Sequence, residues 1–87
     1  MEARPNPFNP VVHVTFELAR PVNGRVSIYD VSGHKIAVLA EGRLERGFNL
    51  LVWNGTDANG RKLGSGVYVT KLEGEGVSAS VKLVITS

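Results

Sequence analysis

Apolar and polar residues alternate along most of this chain. Val12, Val14, Phe16 and Leu18 fall on one face, and His13, Thr15 and Glu17 on the other. A period of two is that of a strand with one side buried. Over 25–30 the pattern returns, with Val26 and Ile28 inward and Ser27 and Tyr29 outward. A third strand over 35–40 carries Ile36, Val38 and Leu39, and the adjacency of Val38 and Leu39 predicts a bulge. Over 48–53, Leu51 and Trp53 share one face while Leu50 and Val52 share the other. Another strand spans 67–72, and Val77, Ala79, Val81, Leu83 and Ile85 alternate along the last. No segment has a helical period. About six to seven strands without helix predict an all-β, antiparallel β-sandwich.

The connections are written in turn formers. Pro21 and Asn23-Gly24 predict one turn, residues 30–34 a tight one, and 73–76 a hairpin. The polar stretch 41–47, pinned by Leu44, is long enough to cross from one sheet to the other. The organising element lies between Trp53 and Tyr68, two large aromatics that bracket Gly55, Gly60, Gly64 and Gly66 with Asn54, Asp57 and Asn59. Such residues adopt positive φ or close turns with their own side chains. Both aromatics are placed to fill one end of a core between two sheets. Residues 1–4 read as a frayed end. Pro5, Asn6, Pro7, Phe8, Asn9 and Pro10 follow as a stiff, non-helical lead-in with Phe8 as its anchor. The chain thus divides into a lead-in over 1–10 and a single sandwich domain over 11–87.

Eighty-seven residues suffice for one modest core. The net charge of +2 is small and its lysines and arginines are scattered, so neither a nucleic-acid footprint nor a membrane-binding patch follows. No apolar run reaches the length needed for membrane insertion as a helix. Cysteine is absent, which removes disulfides and cysteine-based zinc sites. No signal peptide opens the sequence, so an exported parent would carry its signal elsewhere and hold this stretch as a module.

Candidate chemistry is sparse. Asp30, Ser32 and His34 supply the residue types of a hydrolase triad, but they crowd one turn rather than meeting across a cleft, so a turn is expected and no enzyme. His13 sits on a polar face without a second histidine at ligand spacing. Asn54, Asp57 and Asn59 form a weak calcium candidate with one carboxylate and no terminal glutamate. A structural turn is the expectation, with no metal and no cofactor. Trp53 and Tyr68 could stack on a sugar, but their place beside a predicted core favours burial.

Five segments, taken together, resemble a known pattern. They are Pro5-Asn6-Pro7-Phe8-Asn9-Pro10, then Tyr29-Asp30-Val31-Ser32-Gly33, then Trp53-Asn54-Gly55 with Asp57 and Gly60, then Gly66-Val67-Tyr68, and last Lys82-Leu83-Val84-Ile85. In order and spacing they are similar to the Ig-like domain of the flagellar hook-capping protein and to the carboxy-terminal sorting domains (type A) of bacterial type IX secretion substrates. That resemblance implies an Ig-like fold and a non-catalytic module, secreted or held at the cell surface as part of a larger protein. Its implied partners are the secretion and attachment machinery or a neighbouring domain, with Lys82 in the segment that is read. A structural spacer or assembly domain is the alternative role, and a carbohydrate-binding accessory module of a hydrolase a third. Arg4 stands where the family has an aromatic, which implies a first short strand trimmed or lost, and His34 stands where arginine is usual. The apolar outer face made by Leu50 and Val52 implies contact with a neighbouring domain.

Overall fold

A computed structural model describes residues 1–5, 7 and 11–86. Seven strands run in order: β1 (Glu2–Arg4), β2 (Val12–Leu18), β3 (Val22–Asp30), β4 (Lys35–Leu44), β5 (Gly47–Trp53), β6 (Gly66–Gly74) and β7 (Val77–Ile85). They build two antiparallel sheets, β1-β2-β5 and β4-β3-β6-β7. The inward residues of β2, anticipated from their spacing, are all buried, as are Val26, Ile28, Leu72, Leu83 and Ile85 from the facing sheet. Burying such side chains contributes roughly 1.5–3 kcal/mol each and drives the two layers together. Trp53, Val12, Val14, Ile28, Ala37, Leu83 and Ile85 pack at one end. Phe16, Leu18, Val22, Val26, Leu44 and Leu72 pack at the other.

The bulge falls where Val38 and Leu39 break the alternation. Val26 pairs with Ala40 but Ser27 pairs with Val38, so Leu39 is the extra residue. A second register shift between Ile28 and Tyr29 leaves Ile36 unpaired in the same way. These shifts turn Ala37 inward and leave Val38 on the outside.

Four expectations need correction. Glu2–Arg4 is not frayed: it pairs with β2 from Thr15 to His13, and Ala3 reaches the core. The first short strand is therefore present despite Arg4. Asn23-Gly24 is not a turn but the start of a central strand, with Gly24 opposite Gly42 on β4 and Gly74 on β6. The chain instead changes sheets within the three residues after Leu18. The polar stretch after Ala40 extends β4 as far as Leu44, which is buried, so Glu45 and Arg46 alone make the crossing to β5. Ser27 projects from the outward side of β3 yet is fully buried. Its hydroxyl, like that of the inward Thr70, has no hydrogen-bond partner among the described residues.

Candidate functional site

The residues singled out in the sequence converge on one end of the sandwich. Asp30 ends β3 opposite Tyr68 of β6, and Trp53 ends β5 opposite Val12 of β2. Arg4, the last residue before the proline-rich segment, pairs with His13 at this same end. Pro5 and Pro7 are exposed there. Asn6 and Phe8, the expected anchor among them, lie outside the described residues.

Trp53 is 3% exposed. Its indole meets the Tyr68 ring edge to face, with centroids 6.0 Å apart and planes at 72°. That geometry sets the positive edge of one ring against the negative face of the other. Each ring also holds its own loop: Trp53 Nε1 donates to the Thr56 carbonyl at 2.9 Å, and the Tyr68 hydroxyl to the Gly64 carbonyl at 3.0 Å. The backbone N–H of Leu63 donates to the carbonyl of Gly55, where φ is +77°, and Thr56 bridges to Lys62. Ala58 N donates to the Ile36 carbonyl and ties the loop to β4. Gly66, with φ at +156°, turns the chain into β6 beside the Tyr68 ring.

Two tight turns at this end are copies of each other. In the first, Asp30 Oδ1 accepts from the backbone N–H groups of Ser32 (2.9 Å) and His34 (3.0 Å). In the second, Asp57 Oδ1 accepts from those of Asn59 (2.9 Å) and Arg61 (3.0 Å). Each aspartate carbonyl also accepts from the glycine three residues on, Gly33 or Gly60, and each aspartate N–H donates to the carbonyl four on. The two glycines have φ of +88° and +82°, as a three-residue hairpin loop requires at its left-handed position. The shared spelling Asp-x-x-Gly was visible at 30–33 and 57–60, but its repetition escaped the reading of each turn alone.

Two of the loop's side-chain oxygens already have partners. Asp57 Oδ1 is committed to two backbone donors, and Asn54 Oδ1 accepts the Thr56 hydroxyl at 2.6 Å. Among the described residues no group of three or more His, Cys, Asp or Glu is placed to hold a metal ion. Ser32 meets Asp30 through its backbone, and the His34 ring reaches Asp30 Oδ2 at 3.5 Å from an 80% exposed position. The three form a closed turn. Next to it, Tyr29 lies on the outer face of the four-stranded sheet, donating to Glu73 Oε1 at 3.2 Å with Lys71 Nζ 4.9 Å from its ring centroid. Lys82 is exposed on β7, opposite Val69.

The Asp30 carboxyl is held below its ordinary value. The His34 backbone N–H is the main cause, partial desolvation opposes it, and the Ser32 N–H and the His34 ring add to the lowering. A depressed folded-state value means that the turn's contribution is present above the unfolded value and is lost as pH falls through the folded one. Asp30→Asn keeps Oδ1 as an acceptor but removes the charge. The melting temperature of the wild type is expected to exceed that of Asp30→Asn near neutrality, the gap narrowing below about pH 4. A gap constant down to about pH 2 would remove the carboxylate from the turn's stability.

The sequence pattern of the FlgD Ig-like domain matches residues 7–85. The chain belongs to that family. As a FlgD Ig-like domain it takes the all-β sandwich form described above. No curated protein matches it. Among solved structures it is similar to PorZ of Porphyromonas gingivalis, an essential bacterial surface component of the type IX secretion system. The likeness has a TM-score of 0.69 at 20% identity and covers 99% of this chain but 11% of the PorZ chain. What the two share at that identity is the fold. This FlgD Ig-like domain therefore corresponds to one small part of the PorZ chain.

Proposed function

We propose that this chain is a non-catalytic module of an exported bacterial protein, read by type IX secretion machinery for sorting and attachment at the cell surface. The observation that carries this reading is the likeness in fold, over nearly the whole chain, to a portion of PorZ, a surface component of that system. The end of the sandwich described above supports it physically. Two aspartate turns and a tryptophan-pinned loop are held rigid by internal hydrogen bonds, and a rigid surface is recognised at a lower entropic cost. The family match favours a second role, that of an assembly or spacer domain of the FlgD type. Sugar binding finds less support, because the Trp53 ring is packed in the core rather than open for stacking.

Lys82 gives a test that separates recognition from folding. Cutting the chain before Lys82 would remove Leu83 and Ile85, both buried, and unfold the domain by lost burial alone. Lys82→Ala changes an exposed strand position and is expected to shift stability by no more than about 0.5 kcal/mol. In a reporter fusion, it is expected to lower surface export while the melting temperature holds. Unchanged export with Lys82→Ala would take that residue out of the recognised segment.

A further inference from the structure

We propose that β5 is a homotypic edge, through which two copies of this chain pair antiparallel about Leu50. This goes beyond the sorting role and does not depend on it. β5 borders the three-stranded sheet, and no strand lies beyond it among the described residues. Its outer face carries Phe48, Leu50 and Val52, which are 71%, 54% and 56% exposed. From Gly47 to Trp53 there is no charge, no proline and no register shift against β2.

The other sheet edges are guarded. β1 is three residues long and carries Glu2 and Arg4, and β4 has two register shifts with Lys35, Glu41 and Arg43. β7 carries Lys82. Edge strands normally need such charges or bulges to prevent pairing with another chain. β5 alone among the four edges lacks them.

The occupant that fits is a second β5. A two-fold axis at Leu50 sets Leu50 against Leu50 and Phe48 against Val52 on both sides, so the aromatic meets a β-branched residue across the strands. An isologous contact of this kind closes on itself as a dimer. The β2–β5 register places Glu17, Thr15 and His13 directly behind Phe48, Leu50 and Val52. The joined sheet would therefore present a continuous apolar band with polar rows on either side. A groove of about 650 Å³ lies between β5 and β4, walled in part by Val52, Trp53 and Val38. A strand added beyond β5 extends its sheet across the mouth of that groove.

The stripe exposes roughly 300 Å² per copy, taking a large side chain at about 150–250 Å² when bare. Edge pairing hides the two strand backbones and the facing flanks of the stripes while their outer surface stays open, so the area buried falls below the roughly 1,000 Å² of a stable specific interface. A weak, concentration-dependent dimer is therefore expected.

Sedimentation velocity of the intact chain, with light scattering across a concentration series, tests this. The wild type is expected to shift from monomer to dimer as concentration rises, and Leu50→Lys to remain monomeric with unchanged circular dichroism. The absence of native cysteine allows a second readout. Leu50→Cys should oxidise to a disulfide dimer at least about tenfold faster than Val31→Cys, a control on the 30–34 turn that is more exposed than Leu50, because the axis holds the two thiols at high effective concentration. A chain monomeric up to about 1 mM would overturn the proposal. So would a dimer that survives Leu50→Lys, or equal oxidation rates for the two cysteine variants.

Discussion

Replacing Trp53 with alanine is expected to destabilise the domain by about 3–5 kcal/mol, the cost of emptying a buried aromatic site. In a chain of this size that lowers the melting temperature by roughly 15–30 °C. Three losses combine. The indole leaves a cavity beside Val12, Val14 and Leu83, Tyr68 loses its edge-to-face partner, and the Thr56 carbonyl loses a donor. Trp53→Phe separates them, since it keeps much of the burial and removes the N–H. Its expected cost is smaller, about 1–3 kcal/mol, most of it from the unsatisfied carbonyl. Thermal unfolding followed by circular dichroism gives both values. Tryptophan emission should be blue-shifted in the folded protein, and red-shifted emission before unfolding would mean that Trp53 lies outside the core.

Gly24→Ala is expected to cost about 3 kcal/mol, at the upper end of overpacking effects. A Cβ added there would lie 2.4 Å from the Glu73 carbonyl oxygen and 3.0 Å from the Gly74 Cα. Both are backbone atoms of the neighbouring strand and cannot rotate away. Gly74 faces the same crowding from the other side, where a Cβ would meet Val22 Cγ1 at 2.6 Å. Gly64→Ala is the control: it has open space and no positive φ, so its effect should stay within about 0.5 kcal/mol. Equal melting temperatures for the two variants would show that β3 and β6 do not approach as closely as Gly24 and Gly74 imply.

Gly24 also shows where local reasoning stops. Asn-Gly has a strong local preference for turns, yet here the pair lies in a central strand, where the backbone of the adjacent β6 leaves no room for a side chain at Gly24. That constraint comes from residues about 50 positions away and leaves no local trace. The same holds for Glu2–Arg4, which offers one small apolar residue to a pairing made by backbone groups. β4 beyond Ala40 was hidden because its outer residues are charged, and Arg25 meets Glu41 there at 2.9 Å. By contrast, β2, β5 and β7 were legible in type and in which residues turn inward, since one exposed and one buried face enforce strict alternation. The bulge at Leu39 was legible for the same reason.

The candidate site was legible residue by residue but not as an assembly. Trp53, Tyr68, Asp30, Asp57 and the glycines were each recognisable as turn or core residues. Their convergence on one end follows from the pairing of Asp30 with Tyr68 and of Trp53 with Val12, which only the folded register shows. The exposed apolar stripe of β5 was half visible: Leu50 and Val52 stood out, while Phe48 passed as the start of a strand.

Surface accessibility of a fused reporter tests the proposed role most directly. The intact chain, placed behind a signal peptide and a reporter, is expressed in a host that has type IX machinery and in the same host with that machinery deleted. Sorting predicts that the reporter is protease-accessible on intact cells of the first and retained in the periplasm of the second. A folded fusion retained in the periplasm of both hosts would contradict it and leave the domain as a spacer.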